Sequence, residues 1–420
     1  MRFGTLTALV GFVLAAAGLV ISIAGVSSDR TAGGVREYLF ACWGSASETQ
    51  ELQTLVVDPI NARSGDARVT LVPIPSDYHT KLCTMIAGGT APDFFYLSQE
   101  YVPAFAAQGA LLDLTERISR DTDEVTDLAS YNQSVLELYR WRGRVYGLPW
   151  IAQPVILYCN ARMFRQAGVA LPDASWDWQK FVAAAKALTK DTDGDGRIDQ
   201  WGFILNGWPP VQMWIWQNGA DVVDPQTGKL ILDSPKVAEA IDFYAGLIHE
   251  HRVAPPLSIV SEAGFSELFK AGQVAMFMGG AADDLDRIEG LEVVTAELPR
   301  GPVCRATFAW TAGLHISHSV PDAEQAFEVY KQLLDGIQRW KIPAPRKPLA
   351  SRLEEFEPRK APAAGVIRAS MEYMRAPVIF ERQIQWDTLF WEEFEDELLR
   401  LGTPAKDLAR RAQPRLEASR

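Results

Sequence analysis

The segment VREYLFACWGSASETQELQTLVVDPINARSGDARVTLVPI, residues 35–74, decides the fold class. Its two ends, residues 35–40 and 68–74, are rich in β-branched and aromatic residues and are typical of strands. The helix predicted between them, residues 48–61, has apolar residues at helical spacing: Leu52, Leu55, Val56 and Ile60. A strand, a helix and a second strand in this order predict two parallel strands of one sheet.

The same alternation continues along most of the chain. Further strands are predicted at residues 93–97, 155–160, 274–278 and 291–298, and helices at residues 178–188 and 237–249. Ser234 and Pro235 favour the start of the last of these helices, and the chain is predicted to be helical after Pro321. One hydrophobic core usually serves no more than about 250–300 residues. The 420 residues therefore predict two open α/β sheets in two lobes.

The N-terminus carries the pattern of a targeting segment. Residues 6–26 are uncharged and apolar, and they are long enough to span a bilayer as a helix. Ser22 and Ala24 offer a small-residue cleavage site, so residues 1–29 are either a cleaved signal peptide or a retained membrane anchor. Both alternatives predict a protein at the periplasmic or extracytoplasmic face of the membrane. No cysteine precedes Cys42, so a lipid anchor is not expected.

Charge and cysteine usage exclude two classes of function. With 41 Lys and Arg against 53 Asp and Glu, the net charge of −12 argues against nucleic acid as a partner, since phosphate binding needs concentrated basic residues. The cysteines form no CxxC pair and no zinc knuckle, and they are interpreted as small buried hydrophobic residues in preference to disulfides. They are Cys42, Cys83, Cys159 and Cys304.

An acidic loop at residues 191–202 is similar to a calcium-binding loop. Asp191, Asp193, Asp195 and Asp199 match ligand positions one, three, five and nine, but Gly202 stands at position twelve, where a bidentate Glu is usual. Two interpretations stay open, a solvated acidic turn and a weak structural calcium site. No other cofactor is expected.

Five short motifs occur in one order along the chain. They are YHTKLCTMIAGGTAPDFFYL at 78–97, YGLP at 146–149, YCNARMFRQAG at 158–168, DTDGDG followed by WGF between 191 and 203, and FSELFKAGQVAMFMGG at 265–280. In order and spacing they resemble the extracellular solute-binding proteins of ABC importers, in the family that includes the maltose-binding proteins. The chain departs from that pattern at Cys159, where the family has a second Tyr, and at Ala281 and Ala282, where it often places a Trp.

The resemblance implies a two-lobed periplasmic binding protein fold of type II, with a ligand cleft between the lobes. It implies crossings near residues 146–150, 276–282 and 310–315. The first lobe would then comprise residues 35–148 and 276–312, and the second residues 149–275 and 313–420. By resemblance, such a protein is a monomeric receptor that binds a carbohydrate, with an oligosaccharide as the expected form, and delivers it to the permease subunits.

Sugars present flat C–H faces and ringed hydroxyls, so a sugar site needs aromatic platforms and planar polar groups. Trp43, Gly44 and Ser45 follow the carboxyl end of the first strand, where ligands bind in open α/β sheets. Asp93 and Glu100 flank another strand, and Asp93 is equally well interpreted as a turn cap. The other candidates are Tyr78, Trp150, Gln153, Asn160, Trp208, Trp214, Gly280, Asp283 and Trp310.

Enzymatic function has little support in the sequence. The five His residues lack an HExxH context, and no nucleophile elbow, P-loop or dinucleotide fingerprint occurs. We therefore expect a binding protein and not an enzyme. Two rival hypotheses are a membrane-anchored glycan-processing enzyme and a receptor that docks on a signalling ectodomain.

Overall fold

The computed structural model of the protein describes residues 30–420. Strands β1 to β11 are Thr31–Ala32, Val35–Cys42, Ala67–Pro73, Phe94–Ser98, Arg140–Trp141, Arg144–Val145, Leu148–Asn160, Met276–Gly280, Val293–Ala296, Thr307–Ile316 and Met374–Arg375. Helices α1 to α12 are Ala46–Leu52, Asp58–Arg63, Tyr78–Ala87, Val102–Ala107, Thr115–Arg120, Gln133–Leu136, Ala161–Ala167, Trp178–Leu188, Val211–Gln217, Pro235–His249, Leu257–Ala263 and Phe265–Lys270. Helices α13 to α19 are Ala323–Trp340, Lys347–Ala350, Leu353–Phe356, Ala364–Glu372, Gln383–Phe390, Asp396–Leu401 and Ala405–Ala418.

The first strand–helix–strand unit forms as the sequence predicts. Strand β2 pairs with β3 and with β4, both in parallel. The helix between β2 and β3 contains a π-helical turn at Gln53–Val57, which joins α1 to α2. Ser45 begins this helix as an N-cap: its hydroxyl accepts a hydrogen bond from the Glu48 amide, and Glu48 accepts one from the Ser45 amide. This reciprocal pair fixes the chain where it leaves the carboxyl end of β2.

Two long strands join the halves of the molecule. Strands β7 and β10 are antiparallel neighbours, with Trp310 opposite Gln153, and they lie at the centre of a sheet whose order is β1-β2-β4-β10-β7-β8. The two ends of each strand are buried in different hydrophobic cores. Ile151 of β7 belongs to the first core, whereas Val155 belongs to the second.

Each lobe has its own core. The first is built around β2 and β4 from residues 38–151, together with residues 312–337. In the second lobe, the sheet of β7, β8 and β9 is covered on one face by α7 to α10 and by α17 to α19. Helices α11, α12 and α16 pack on its other face. This arrangement confirms the predicted α/β fold class with two lobes.

The predicted lobe boundaries are wrong for two segments. Strand β8 pairs with residues 155–159 of β7, with Gly280 opposite Val155. Residues 276–306 therefore lie in the second lobe and not in the first. Helix α13 buries Phe327, Leu333 and Ile337 in the first core, so it belongs to the first lobe and not to the second. The chain returns to the second lobe after α13, where the Ala152 amide donates to the Pro343 carbonyl.

The three predicted crossings contain Gly147, Gly279 and Gly313, and we expect such glycines to act as hinges, but all three lie in tightly packed surroundings. A Cβ on Gly313 would lie 2.1 Å from Cε1 of Tyr139, and one on Gly147 would lie 2.5 Å from the ring of His315. Both glycines allow close packing inside the first lobe. Gly279 is in β8 and not at a crossing. The strand segments at residues 151–154 and 309–312 connect the two cores instead.

Two further predictions concern the cysteines and the N-terminus. All four cysteines are unpaired; Cys42 and Cys159 are buried as expected, whereas Cys83 is exposed and Cys304 is half-buried. Residues 1–29, the predicted signal peptide or anchor, lie outside the described residues. Among residues 30–420 no helix is both long enough and apolar enough to cross a membrane.

Candidate functional site

The first lobe contributes an aromatic cluster at the carboxyl ends of its parallel strands. Trp43 follows β2 and is half-buried, with its ring centroid 4.9 Å from Tyr78 and 5.1 Å from Tyr96. Trp150 lies behind it at 6.1 Å and is only 4% exposed. Gly44 follows at a φ of 143°, which favours glycine. The Trp43 indole is therefore the open member of the cluster, and Trp150 supports it.

The crossing strands supply the floor between the lobes. Gln153 and Trp310 are half-buried partners on β7 and β10, and Trp310 packs against both hydrophobic cores. A Cβ on Gly280 would lie 1.6 Å from Nε2 of Gln153, so only glycine allows the amide to occupy this position. The Asp283 carboxylate accepts a hydrogen bond of 2.9 Å from the Gly280 amide. Partial loss of hydration raises the pKa of Asp283.

The second lobe adds two half-buried indoles. The Nε1–H of Trp208 donates to the Met278 carbonyl at 3.2 Å, which fixes the ring against β8. Next to Trp208, Gly207 has a φ of 95°, and a Cβ there would lie 2.8 Å from the ring of Trp391. Trp391 is the first residue of a π-helical turn, Trp391–Glu395, between α17 and α18. Trp391 is not among the ligand residues predicted from the sequence.

Two carboxyl groups, those of Glu100 and Asp387, lie where α17 packs beside the short helix Gln99–Tyr101 of the first lobe, and a third, that of Glu395, is buried in the second lobe, where it accepts a hydrogen bond from the Tyr244 hydroxyl at 3.4 Å. Burial raises the pKa of Glu100, whose carboxylate accepts a hydrogen bond from the Ser98 hydroxyl at 2.8 Å. Burial, together with the negative charge of Glu100, raises the pKa of Asp387 to about 6. Burial raises the pKa of Glu395 to about 8. Among residues 30–420, no Lys or Arg forms an ion pair with any of the three.

Besides Trp150, which is buried behind Trp43, four predicted ligand residues have structural roles in the described part of the chain. Trp214 is fully buried in the second core, where it packs 5.8 Å from Trp178. The Tyr78 hydroxyl donates to two main-chain carbonyls inside the first core. Asn160 caps helix α7 by accepting from the Met163 amide, at the end of β7 remote from the crossing.

Asp93 is the fourth of these residues, and it lies at the wrong end of its strand. It precedes β4, so it sits at the amino end of the parallel strands, whereas Trp43 follows the carboxyl end of β2. Its carboxylate pairs with Arg30 and accepts a hydrogen bond from the Leu39 amide at 2.8 Å. These contacts tie the first strands together, and Asp93 is not a cleft residue.

The remaining candidates surround the space between the lobes. They are Trp43, Gly44, Ser45 and Glu100 from the first lobe, Gln153 and Trp310 at the crossing, and Trp208, Gly280 and Asp283 from the second lobe. A cavity of about 1410 Å³ opens on one flank of this cleft. It extends from Ser45 and Ala282 outward to Phe356 and Trp340. Charged side chains line much of it, and some of them form ion pairs, such as Lys341 with Glu48.

Comparison with known proteins decides the family. The model for bacterial extracellular solute-binding proteins matches residues 45–331, more than half of the chain. The chain belongs to this family. As a solute-binding protein it falls in a class of binding proteins and not of enzymes, in agreement with the sequence analysis.

Solved structures confirm the solute-binding protein fold. An ABC substrate-binding protein from Listeria monocytogenes in complex with cycloalternan superposes with a TM-score of 0.78 at 24% identity, covering 91% of this chain and 98% of that one. Maltose-bound T. maritima MalE3 superposes with a TM-score of 0.71 at 22% identity, covering 91% and 99%. At these identities the likeness concerns the fold.

Curated relatives match a shorter part of this solute-binding protein. A putative binding protein of Brucella abortus is 25% identical over 273 residues, which are 62% of this chain and 63% of the relative. The match thus spans less than two thirds of that relative. The arabinooligosaccharide-binding protein of Bacillus subtilis is 23% identical over 244 residues, 56% of this chain and 53% of the relative.

The acidic loop of the solute-binding protein is exposed and closed by its own hydrogen bonds. The carboxylates of Asp191, Asp193 and Asp195 offer oxygens within 4.8 Å of one another. Hydrogen bonds from the amides of Gly196 and Gly194 lower the pKa of Asp191. Asp199 instead accepts from the amide and hydroxyl of Thr192. The loop thus holds three of the four predicted ligands together.

Proposed function

We propose that this protein binds a carbohydrate in the cleft between its lobes and delivers it to the permease of an ABC importer. The observation that carries the proposal is the pairing of half-buried indoles from both lobes, Trp43 on one side with Trp208 and Trp391 on the other. Indole faces suit the C–H faces of sugar rings. The amide of Gln153 lies at the crossing between the lobes, and the carboxyl of Asp283 lines the same groove as Trp208; both groups suit hydroxyl groups.

The ligand class fits the charge of the cleft. The carboxyl groups of Glu100 and Asp387 lie on elements of different lobes that pack together, and both have raised pKa values. Their oxygens can accept hydrogen bonds from the hydroxyl groups of a neutral ligand. Among residues 30–420, no Lys or Arg forms an ion pair with either carboxyl group, which disfavours an anionic ligand and favours a neutral sugar.

Thermal stability tests this proposal. A ligand that binds only the folded protein raises its stability, by about 2.7 kcal/mol at a concentration one hundred times the dissociation constant. We expect residues 30–420 to gain several degrees in melting temperature with at least one neutral oligosaccharide. A screen of mono- and oligosaccharides that gives no saturable shift would contradict carbohydrate binding.

Location and partners follow from the same proposal. We infer that the protein acts at the extracytoplasmic face, as a monomer, with residues 6–26 as a signal peptide or an anchor. The family is described as extracellular, and a relative from Streptomyces antibioticus, 31% identical over 191 residues, is described as an uncharacterized lipoprotein. That match covers 44% of this chain and 40% of the relative.

A calcium ion at the acidic loop is the last part of the proposal. No cofactor is needed for the binding function, and the grouped carboxylates of Asp191, Asp193 and Asp195 would serve only the stability of the second lobe. We expect calcium to raise the melting temperature by one to a few degrees, corresponding to about 1 kcal/mol, without changing sugar affinity. Equal melting temperatures with calcium and with a chelator would identify the loop as a solvated turn.

A further inference from the structure

A groove of about 480 Å³ lies in the second lobe beside β8, which is an edge strand in the sheet order. Its volume falls in the range of about 300–1,000 Å³ that is usual for small-molecule sites. The side chains that argue for a site there are Trp208, Phe265, Ser266, Lys270, Phe277 and Asp283.

Two half-buried aromatic side chains bound the groove. Trp208 is held by its hydrogen bond to the Met278 carbonyl, so its ring plane is fixed. Phe265 packs against Phe277 with ring centroids 4.7 Å apart, and Phe277 is only 3% exposed. The groove therefore combines a fixed indole with a supported phenyl ring, the composition that stacks on sugar rings.

The groove is continuous with the cleft. Trp208 and Asp283 line the groove and also belong to the second-lobe side of the cleft. The Gly280 amide fixes the Asp283 carboxylate beside Gln153, at the crossing between the lobes. A chain of sugar units that occupies the cleft can therefore extend past Asp283 into the groove without leaving the protein surface.

The charged groups of the groove are already neutralised by neighbours. Lys270 pairs with Glu267 at 2.8 Å, and Asp284 pairs with Arg287. The main polar group left to a ligand is the carboxyl of Asp283, with the Ser266 hydroxyl nearby. This lining favours a neutral ligand with hydroxyl groups over a charged one.

We propose that this groove is an additional subsite, which binds further units of a neutral oligosaccharide whose first units lie in the cleft. The inference rests on the proposed function. It predicts that affinity rises with chain length, and that the gain depends on Phe265.

The test is calorimetric titration with three neutral ladders, from disaccharide to pentasaccharide, of the malto, manno and arabino series. Phe265→Ala should weaken binding of the tetra- and pentasaccharide of the preferred series about tenfold or more, and that of its disaccharide less than threefold. Ser266→Trp, which fills the groove instead of emptying it, should give the same selective loss. The control is Phe356→Ala, a half-buried phenyl that lines the larger cavity beside Ser45 and Ala282 but does not line the groove.

The outcomes separate the two proposals. If no ladder binds to the wild-type protein, the proposed function fails and the subsite fails with it. If sugars bind but Phe265→Ala and Ser266→Trp leave the length dependence unchanged, only the subsite is overturned. A selective loss of long sugars in Phe356→Ala would place the further units in the larger cavity and would also contradict the subsite.

Discussion

Trp43→Ala is expected to weaken carbohydrate binding by about 1–3 kcal/mol, roughly a five- to 150-fold loss of affinity. The indole is half-buried at the carboxyl end of β2 and rests on Tyr78 and Tyr96, so its position is fixed before ligand arrives. Removing a preformed platform eliminates its contact with the sugar without rearranging the strands. Calorimetric titration of the variant measures the loss.

Two other tryptophans make this experiment specific. Trp141→Ala is the matched control, since Trp141 is half-buried on the first lobe and lines a different surface pocket, and we expect it to leave affinity unchanged. Trp150→Ala should chiefly lower stability, by about 3–5 kcal/mol, because that indole is buried behind Trp43. An affinity of Trp43→Ala equal to that of Trp141→Ala would show that Trp43 does not contact the ligand.

We expect the wild-type protein to lose stability as the pH rises from 5 to 8. We expect Glu395→Gln to remove much of this loss. Glu395 keeps its proton up to a pKa of about 8 in the folded protein, whereas the unfolded chain releases it near 4.5. Between these values the folded state binds more protons, so the free energy of unfolding falls as the pH rises. Gln cannot ionise, and it should reduce this fall by about 2–4 kcal/mol.

Urea unfolding at pH 5, 6.5 and 8 measures the effect. Glu392→Gln is the control, because Glu392 is an exposed residue of the same π-helical turn. The same pH dependence in wild type and in Glu395→Gln would mean that Glu395 is ionised in the folded protein.

Local patterns predicted much of the secondary structure. Helix α8, Trp178–Leu188, has the bounds expected from the spacing of its apolar residues, and α10 begins after Ser234 as expected. These features depend on periodicity and on capping, which neighbouring residues determine. The strand–helix–strand unit at the start of the first lobe is correct for the same reason.

Assignment of segments to lobes could not be made from local patterns. Helix α13 has a strong apolar stripe, but the stripe would fit either core, and only its packing against Val56 of the first lobe decides the matter. Strand β8 was misplaced because its pairing partner on β7 lies more than 100 residues earlier in the chain. Both assignments depend on contacts between residues distant in sequence.

The candidate site was predicted in part, and each error has a physical cause. Trp43 lies beside the cleft because it follows β2, whereas Trp208 lies in a loop that its hydrogen bond to the Met278 carbonyl holds against β8. The prediction that Asp93 binds ligand is wrong because Asp93 precedes its strand, whereas ligand sites in such sheets lie after the carboxyl ends of the strands. Trp391 was missed because it lies in a helical segment, where an indole is more often a core residue than a ligand residue.

The central claim is that the ligand is enclosed between the two lobes. A ligand that contacts both lobes has higher affinity for the closed arrangement, and it shifts the population toward that state. Small-angle scattering, with and without a sugar that calorimetry shows to bind, tests this most directly. We expect a smaller radius of gyration at saturation. An unchanged radius of gyration at saturating ligand would contradict enclosure between moving lobes.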